Sequence, residues 1–178
     1  MKIIKKSAIF SPCNQYRYSL SRVWSLNQKP ALIIGLNPST ADEKKDDPTI
    51  RRSMHYAYQW GFGGLIMVNL FAFKATLHSD LRKANHPIGK DNNKFIIEHQ
   101  KESGIVLVAW GNDGALHNRD KEVLDLINNP MCLKVNKTGQ PAHPLYQKKG
   151  LSPIQYPRLL FDKSIRTETH SSFNNEYN

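Results

Sequence analysis

Near the start of the chain, residues 16–24 alternate between apolar and polar side chains, as expected of a strand with one buried face. Residues 7–11 are predicted to form a second strand. Residues 12–15, which include Pro12 and Asn14, favour a turn between these two segments. The pattern therefore predicts an antiparallel hairpin.

Four later segments are apolar at successive positions, which is typical of parallel strands that are buried on both faces. They span residues 31–36, 65–71, 105–110 and 131–135. Helices are expected between them, over residues 48–60, 91–103 and 118–128. Asp47 and Pro48 have the chemistry of a helix start, and Gly61 has that of a helix end.

The alternation of strands and helices predicts an α/β fold, with helices on both faces of a parallel sheet. We expect a three-layer α/β/α sandwich with a short, mainly parallel four-stranded central sheet, extended at one edge by the N-terminal hairpin. A length of 178 residues suits one domain rather than two, and we assign residues 1–161 to it. Residues 162–178 are polar and rich in Ser, Asn and Thr, which predicts a flexible tail.

The composition shows an excess of basic residues and only two cysteines. Lys and Arg number 25 against 15 Asp and Glu, giving a net charge of +10. This favours nucleic acid as a partner, although a basic surface that keeps the protein in solution would look the same. Cys13 and Cys132 lie in no metal-binding spacing, so we expect a reducing, cytoplasmic environment without metal or other cofactor. No apolar run is long enough for a membrane span, and no secretory signal is recognisable.

Ligands of open parallel sheets bind beyond the carboxyl ends of the strands. In the first loop there, Gly35 allows a close approach and Pro38 stiffens the turn. Asn37 can both donate and accept, which suits a planar amide or a water molecule. Ser39 and Thr40 could contact phosphate. The alternative is an ordinary turn with local hydrogen bonds.

Charged residues follow this loop. Asp42, Asp46 and Asp47 could position a water molecule, although a solvated loop with a helix cap explains most of them. We take Asp42 as the candidate catalytic acid and Asp47 as a ligand-binding candidate. Arg51 and Arg52 oppose the dipole at a helix start, so a bound anion or a carboxylate could compensate for one of them, and we retain Arg51.

The next two strand ends carry an amide and several aromatic rings. Asn69 ends an apolar strand, so its side chain needs hydrogen-bonding partners. Phe71 and Phe73 could form a wall of a flat pocket, with core packing as the alternative. Trp110 ends the third strand, where a core role is the commoner one.

His143 lies just beyond the fourth strand, between Pro141 and Pro144. A rigidly held imidazole at this edge of the sheet is a candidate acid or electrophile, and the alternative is a loop histidine with only structural bonds. Tyr146 follows in the same loop and is a further ligand-binding candidate. The sequences expected of lipase-like, dinucleotide-binding and zinc-hydrolase sites are not found.

Several ordered motifs resemble those of a bacterial and phage family catalogued as domain of unknown function 1643. They are GLNPSTAD at 35–42, DPTIRR at 47–52, WG at 60–61, VNLFA at 68–72, PIG at 87–89, AWG at 109–111 and HPLY at 143–146. The resemblance covers residues 7–160 and implies no activity of its own.

The same motif order is distantly similar to the uracil-DNA glycosylase superfamily, which has a short parallel sheet between helices. The resemblance implies that Asn37 holds the attacking water and that His143 stabilises charge on the departing base. It also implies that Asn69 recognises the base edge and that Phe71 or Phe73 stacks on the base. The late motif departs from that superfamily, because HPLY replaces a longer His-Pro-Ser-Pro pattern.

We therefore expect an enzyme that hydrolyses the N-glycosidic bond of a modified or damaged base in DNA. Two alternatives stay open: a non-catalytic nucleic-acid or nucleotide-binding module of the same fold, and a hydrolase of free nucleosides or nucleotides. Asn37 cannot act as a general base, which fits the binding module equally well.

Overall fold

The computed structural model describes residues 1–39 and 41–157. The flexible tail predicted at 162–178 lies outside the described residues. Within them, seven strands form one sheet in the order β1-β2-β4-β3-β5-β6-β7. The strands are β1 (Lys5–Phe10), β2 (Arg17–Val23), β3 (Pro30–Gly35), β4 (Gly64–Asn69), β5 (Ile105–Val108), β6 (Met131–Cys132) and β7 (Ile154–Gln155). The α-helices are α1 (Pro48–Gln59), α2 (His78–Lys83), α3 (Asn92–Glu102) and α4 (Arg119–Leu126), and short 3₁₀ segments span Asn112–Asn118 and Pro144–Tyr146.

The sheet is mixed, and it is larger than the predicted four strands with a hairpin. Strand β3 pairs in parallel with β4 and β5, and β5 pairs in parallel with β6. Antiparallel strands extend both edges: β2 joins β4 on one side, and β7 joins β6 on the other. The α/β class and the hairpin are confirmed. Strand β7 was missed because two exposed residues, Ile154 and Gln155, produce no apolar pattern.

The start of α1 follows the predicted cap chemistry. A carboxylate oxygen of Asp47 accepts the N–H of Ile50 at 2.8 Å, and Pro48 occupies the first helical position. Gly61, just past the helix end, has a φ of 80°, which other residues rarely adopt. These local signals place both ends of α1 within a residue or so of the prediction.

Apolar side chains pack on both faces of the sheet, because successive residues of a strand point to opposite sides. Along β3, Ile33 belongs to the cluster that includes Met54 of α1, whereas Ile34 belongs to the cluster that includes Ile96 of α3 and Val123 of α4. Helix α1 thus covers one face, and α3 and α4 cover the other. No helix in the described part of the chain is long and apolar enough to cross a membrane.

The elements after β4 differ most from the prediction. Helix α2 lies in the connection 74–90, where the polar sequence gave no helical pattern, and Leu81 is the one buried residue among the described side chains of this helix. Helix α4 ends at Leu126, two residues before its predicted end, and a 3₁₀ segment that was not predicted, Asn112–Asn118, precedes it. Strand β6 pairs over two residues only, although Leu133 continues the buried run.

A register shift in the hairpin sets the direction of one arginine. Ile9 pairs with Ser19, whereas Phe10 pairs with Arg17, so Tyr18 is an extra residue in β2. An extra residue of this kind redirects the side chains that flank it. As a result, Tyr18 stacks on Phe95 of α3, and Arg17 lies on the α1 side of the sheet.

Candidate functional site

A cavity of about 510 Å³ opens at the carboxyl ends of the central parallel strands, a size typical of small-molecule sites. Its floor includes Ile33 and Met67, which face α1. The start of α1 forms one wall through Asp47 and Thr49, and the loop around His143 forms another. Three strand ends, a helix start and a late loop therefore converge on one volume.

The predicted site residues divide between the cavity and other locations. Those lining the cavity are Gly35, Asn37, Ser39, Asp47, Asn69, Trp110, His143 and Tyr146. Those outside its lining are Pro38, Asp42, Arg51, Phe71 and Phe73. Thr40 lies outside the described residues. The cavity thus collects residues more than 100 positions apart, from Gly35 to Tyr146.

Asn69 and Gly35 are neighbours in the parallel ladder of β3 and β4. A Cβ on residue 35 would come within 2.8 Å of Asn69 Nδ2, so the glycine makes room for the amide. Asn69 is 4% exposed, and its Oδ1 accepts a hydrogen bond from Arg17 Nη2 at 3.3 Å. Because Arg17 engages the oxygen, Asn69 presents Nδ2 as a donor to the cavity, which suits a ligand carbonyl.

The buried Arg17 is the main site residue that the sequence analysis missed. It is 3% exposed, lines the cavity, and donates from Nη1 to the carbonyl of Ala41 at 2.8 Å. Burial lowers the pKa of Arg17 to about 10, although the Asp47 carboxylate opposes this effect. The sequence pointed to Arg17 only indirectly. A buried Asn69 needs a hydrogen-bonding partner, and Arg17 is that partner.

The side chain of Asn37 ties two loops together. Its Nδ2 donates to the carbonyls of Pro38 at 3.0 Å and Ala75 at 2.7 Å, and Ala75 N–H donates back to Pro38 at 3.1 Å. Both amide hydrogens are therefore engaged. Only Oδ1 of Asn37 is left to accept from a water molecule or a ligand.

His143 caps the 3₁₀ turn that follows it. Its Nδ1 accepts the N–H of Leu145 at 3.3 Å, so Nε2 carries the hydrogen in the neutral ring. The ring lies 5.4 Å from that of Tyr146, which is 79% exposed at the rim of the cavity. The loop thus contributes an imidazole ring and an aromatic surface to the cavity wall.

Trp110 is a buried part of the wall. It is 2% exposed, and its Nε1 donates to Gln140 at 2.7 Å. Gln140 in turn donates to the buried Asp120 at 2.6 Å. Gly114 lies against the indole ring, where any Cβ would collide with it. This bonding and packing make Trp110 a fixed support for the cavity rather than a mobile ligand platform.

Side-chain hydrogen bonds stabilise the backbone of the acidic loop before α1. Asp42 is exposed, and its carboxylate accepts the N–H groups of Lys45 and Lys44, which lowers its pKa. The buried Arg22 donates to the carbonyl of Asp42 and pairs with the Asp46 carboxylate, each at 2.7 Å. Of the loop's acids, only Asp47 lines the cavity.

Three other predicted residues face elsewhere. Phe71 is fully buried in the cluster beneath α3 and α4, with its ring edge-on to His117. Phe73 packs against the same cluster and edge-on to Tyr16. Arg51 is exposed and donates to the backbone of Asp46. Neither phenylalanine can stack on a ligand in the cavity without a large rearrangement.

The described residues contain no group of His, Cys, Asp and Glu side chains that could hold a metal ion. The cavity wall combines amide, imidazole, guanidinium and carboxylate groups, which are able to form hydrogen bonds with a polar organic ligand.

A family described as a protein of unknown function, DUF1643, matches residues 17–145 of the chain. The chain belongs to the DUF1643 family. The matched residues begin at Arg17 and extend to the His143 loop, so they contain nearly the whole cavity wall of this DUF1643 chain. No curated protein and no solved structure matches the chain significantly.

Proposed function

We propose that the cavity of this DUF1643 chain binds a nucleobase and that the chain hydrolyses the N-glycosidic bond of a modified or damaged base in DNA. The supporting observation is that Asn37, Asn69 and His143, which come from two loops and the end of strand β4, line one cavity. These are the residues to which the resemblance to uracil-DNA glycosylases gives roles. The parallel strands between helices are compatible with that superfamily's fold.

In this proposal, a water molecule held by Asn37 Oδ1 attacks C1′ of the sugar. The bond from C1′ to the base breaks, and the base leaves with the electron pair. His143 Nε2–H donates a hydrogen bond to the departing base, where negative charge develops. The attacking water loses its proton to Asp47, the loop acid that lines the cavity. Asp47 thus takes the role first given to Asp42.

Recognition of the base would use the remaining polar groups. Asn69 Nδ2 donates to a base carbonyl, which favours keto bases such as uracil, thymine or hypoxanthine over amino bases. Tyr146, rather than Phe71 or Phe73, supplies the aromatic surface because it stands exposed at the rim. A base in duplex DNA would have to leave the stack to enter, and the charge of +10 favours contact with the backbone.

Both cysteines are free thiols, one exposed and one buried, which agrees with the reducing cytoplasm that we propose as the location.

The enzymatic claim is tested with single- and double-stranded oligonucleotides that carry uracil, hypoxanthine or a modified cytosine. Abasic sites should form with at least one of them and should form far more slowly with His143→Asn. If no substrate yields abasic sites although base-containing ligands bind, the enzymatic part is wrong.

One observation favours a non-catalytic binding module as the second candidate. Asn37 uses both amide hydrogens on backbone carbonyls, as a purely structural residue would. A binding module predicts that Asn69→Ala weakens base binding while no variant changes turnover, because there is none. The remaining alternative is a hydrolase of free nucleosides or nucleotides. Release of the base from these compounds, offered as substrates beside the oligonucleotides, tests it.

A further inference from the structure

Three arginines of the described chain are almost fully buried, and one of them lacks a carboxylate partner. Arg22 pairs with Asp46 at 2.7 Å, and Arg119 pairs with Glu122 at 2.8 Å. Arg17 forms no ion pair with any described residue, although it is 3% exposed. A buried charge without a counter-charge is costly, because protein replaces the water that would solvate it.

The hydrogen bonds of Arg17 are also incomplete. Its Nη1 and Nη2 donate to Ala41 and Asn69, but Nε is buried and has no acceptor among the described residues. Both acceptors are neutral oxygens, and the bond to Asn69 is long at 3.3 Å. Since Arg17 lines the cavity, an anion bound there can approach its guanidinium group and add to the attraction of the Asp47 carboxylate, which forms no ion pair with it.

A second group with an unused donor lines the same cavity. Thr49 is in the first turn of α1, and no described residue accepts its backbone N–H, whereas the next N–H is capped by Asp47. The N terminus of a 12-residue helix carries partial positive charge and commonly binds oxyanions. The Asp47 carboxylate offsets part of this charge without pairing with Arg17.

We infer that Arg17 and the first turn of α1 form an oxyanion subsite in the cavity, which holds a phosphate group of the ligand. A guanidinium group matches the geometry of phosphate oxygens, and a phosphate would supply the ion-pairing partner that Arg17 lacks among the described residues. In assigning that phosphate to a nucleotide, the inference rests on the proposed function. The ligand class is then a nucleoside phosphate unit, free or within a DNA strand.

Titration of the full chain with inorganic phosphate, at constant ionic strength maintained with chloride, tests the subsite without any base. Calorimetry should detect one saturable site, and the melting temperature should rise with phosphate concentration. Arg17→Gln should weaken phosphate binding about tenfold or more, and Arg17→Lys should weaken it less. Lys94→Gln, which removes an exposed charge from α3 outside the cavity, should leave phosphate binding unchanged.

Two results overturn the subsite. One is the absence of phosphate binding to the wild-type chain. The other is equal binding by the wild-type chain and Arg17→Gln. If Arg17→Gln does not fold, Arg17→Lys and the wild-type titration still decide, because a purely structural arginine gives no phosphate-dependent stabilisation.

Comparison of uridine, uridine monophosphate and a uracil-containing oligonucleotide distinguishes free nucleotide from DNA as the source of the phosphate. The monophosphate should bind about tenfold more tightly than the nucleoside in the wild-type chain, and Arg17→Gln should remove that advantage. Inorganic phosphate that binds while no base-containing ligand competes with it would refute the proposed function and leave the subsite intact. Base binding without any phosphate advantage would refute the subsite alone.

Discussion

The amide nitrogen of Asn69 lies 2.8 Å from the point that a Cβ on Gly35 would occupy. The two residues are paired in the ladder between β3 and β4, so the missing side chain of one makes space for the side chain of the other. Arg17 then fixes the amide by engaging its oxygen. The donor that faces the cavity is therefore set by a glycine, a buried arginine and the strand register together.

Gly35→Ala should displace the Asn69 amide and weaken the binding of base-containing ligands by about tenfold, the equivalent of one lost hydrogen bond. The added methyl group should also destabilise the fold by about 1–3 kcal/mol, because the strand end is tightly packed. Isothermal calorimetry and urea unfolding measure the two effects separately.

The control for this variant is a double-mutant cycle with Asn69→Ala. If the methyl group acts through the amide, Gly35→Ala should have little further effect on binding once Asn69 is alanine. Additive losses would mean that position 35 acts on the ligand independently of Asn69.

Two substitutions of His143 separate its structural bond from its chemistry. Asn is a favoured capping residue, so His143→Asn should still accept the N–H of Leu145 and keep the unfolding midpoint near that of the wild type. His143→Ala loses both the cap and the ring. The rate of base release should fall roughly 10²–10³-fold in both variants, the usual effect of removing one donor to a developing anion. Full activity in a folded His143→Asn variant would exclude His143 from charge stabilisation.

The capping role and the proposed catalytic role of Asp47 can be separated in the same way. Asp47→Ala should destabilise the chain by about 1 kcal/mol, because the N–H of Ile50 loses its acceptor. Asp47→Asn keeps an oxygen for that cap but removes the carboxylate that would accept the water proton. We expect near-wild-type urea unfolding and strongly reduced turnover for Asp47→Asn. The matched variant Asp42→Asn, outside the cavity lining, should retain turnover.

The two cysteines should differ sharply in reactivity. A hydrogen bond with Ser11 lowers the pKa of the exposed Cys13, whereas burial raises the pKa of Cys132 to about 11. The thiolate is the reactive form, so iodoacetamide should modify Cys13 rapidly in the native chain and Cys132 only after unfolding. Ser11→Ala should shift the pH profile of Cys13 alkylation upward. Mass spectrometry of peptides quantifies both reactions, and rapid native labelling of Cys132 would contradict the packing of β6.

Local chemistry explains which elements the sequence could predict. Helix α1 has a capping aspartate, a proline at its first position and a glycine after its end, all readable within a short window. Helix α2 has no side-chain cap, and strand β7 consists of two exposed residues, so neither shows such signals. Strand β7 forms by pairing with β6, more than 20 positions earlier in the chain.

The candidate site also has features that the sequence predicts and features that it does not. Topology alone brings strand ends to one edge, which is why Asn37, Asn69 and His143 were predicted together. The sequence could not predict to which face of the sheet each side chain points, since buried parallel strands are apolar on both sides. Phe71 consequently lies under α3 and α4 rather than at the cavity. Arg17 was missed because the extra residue Tyr18 redirects it, and a strict alternation pattern cannot show such a shift.

A crystal structure of the His143→Asn variant with a uracil-containing oligonucleotide would show directly where the base binds. We predict a flipped base in the 510 Å³ cavity, with a base carbonyl within hydrogen-bonding distance of Asn69 Nδ2 and the base ring against Tyr146. A base bound outside this cavity, or an oligonucleotide bound with its base still stacked in the strand, would contradict the proposed function.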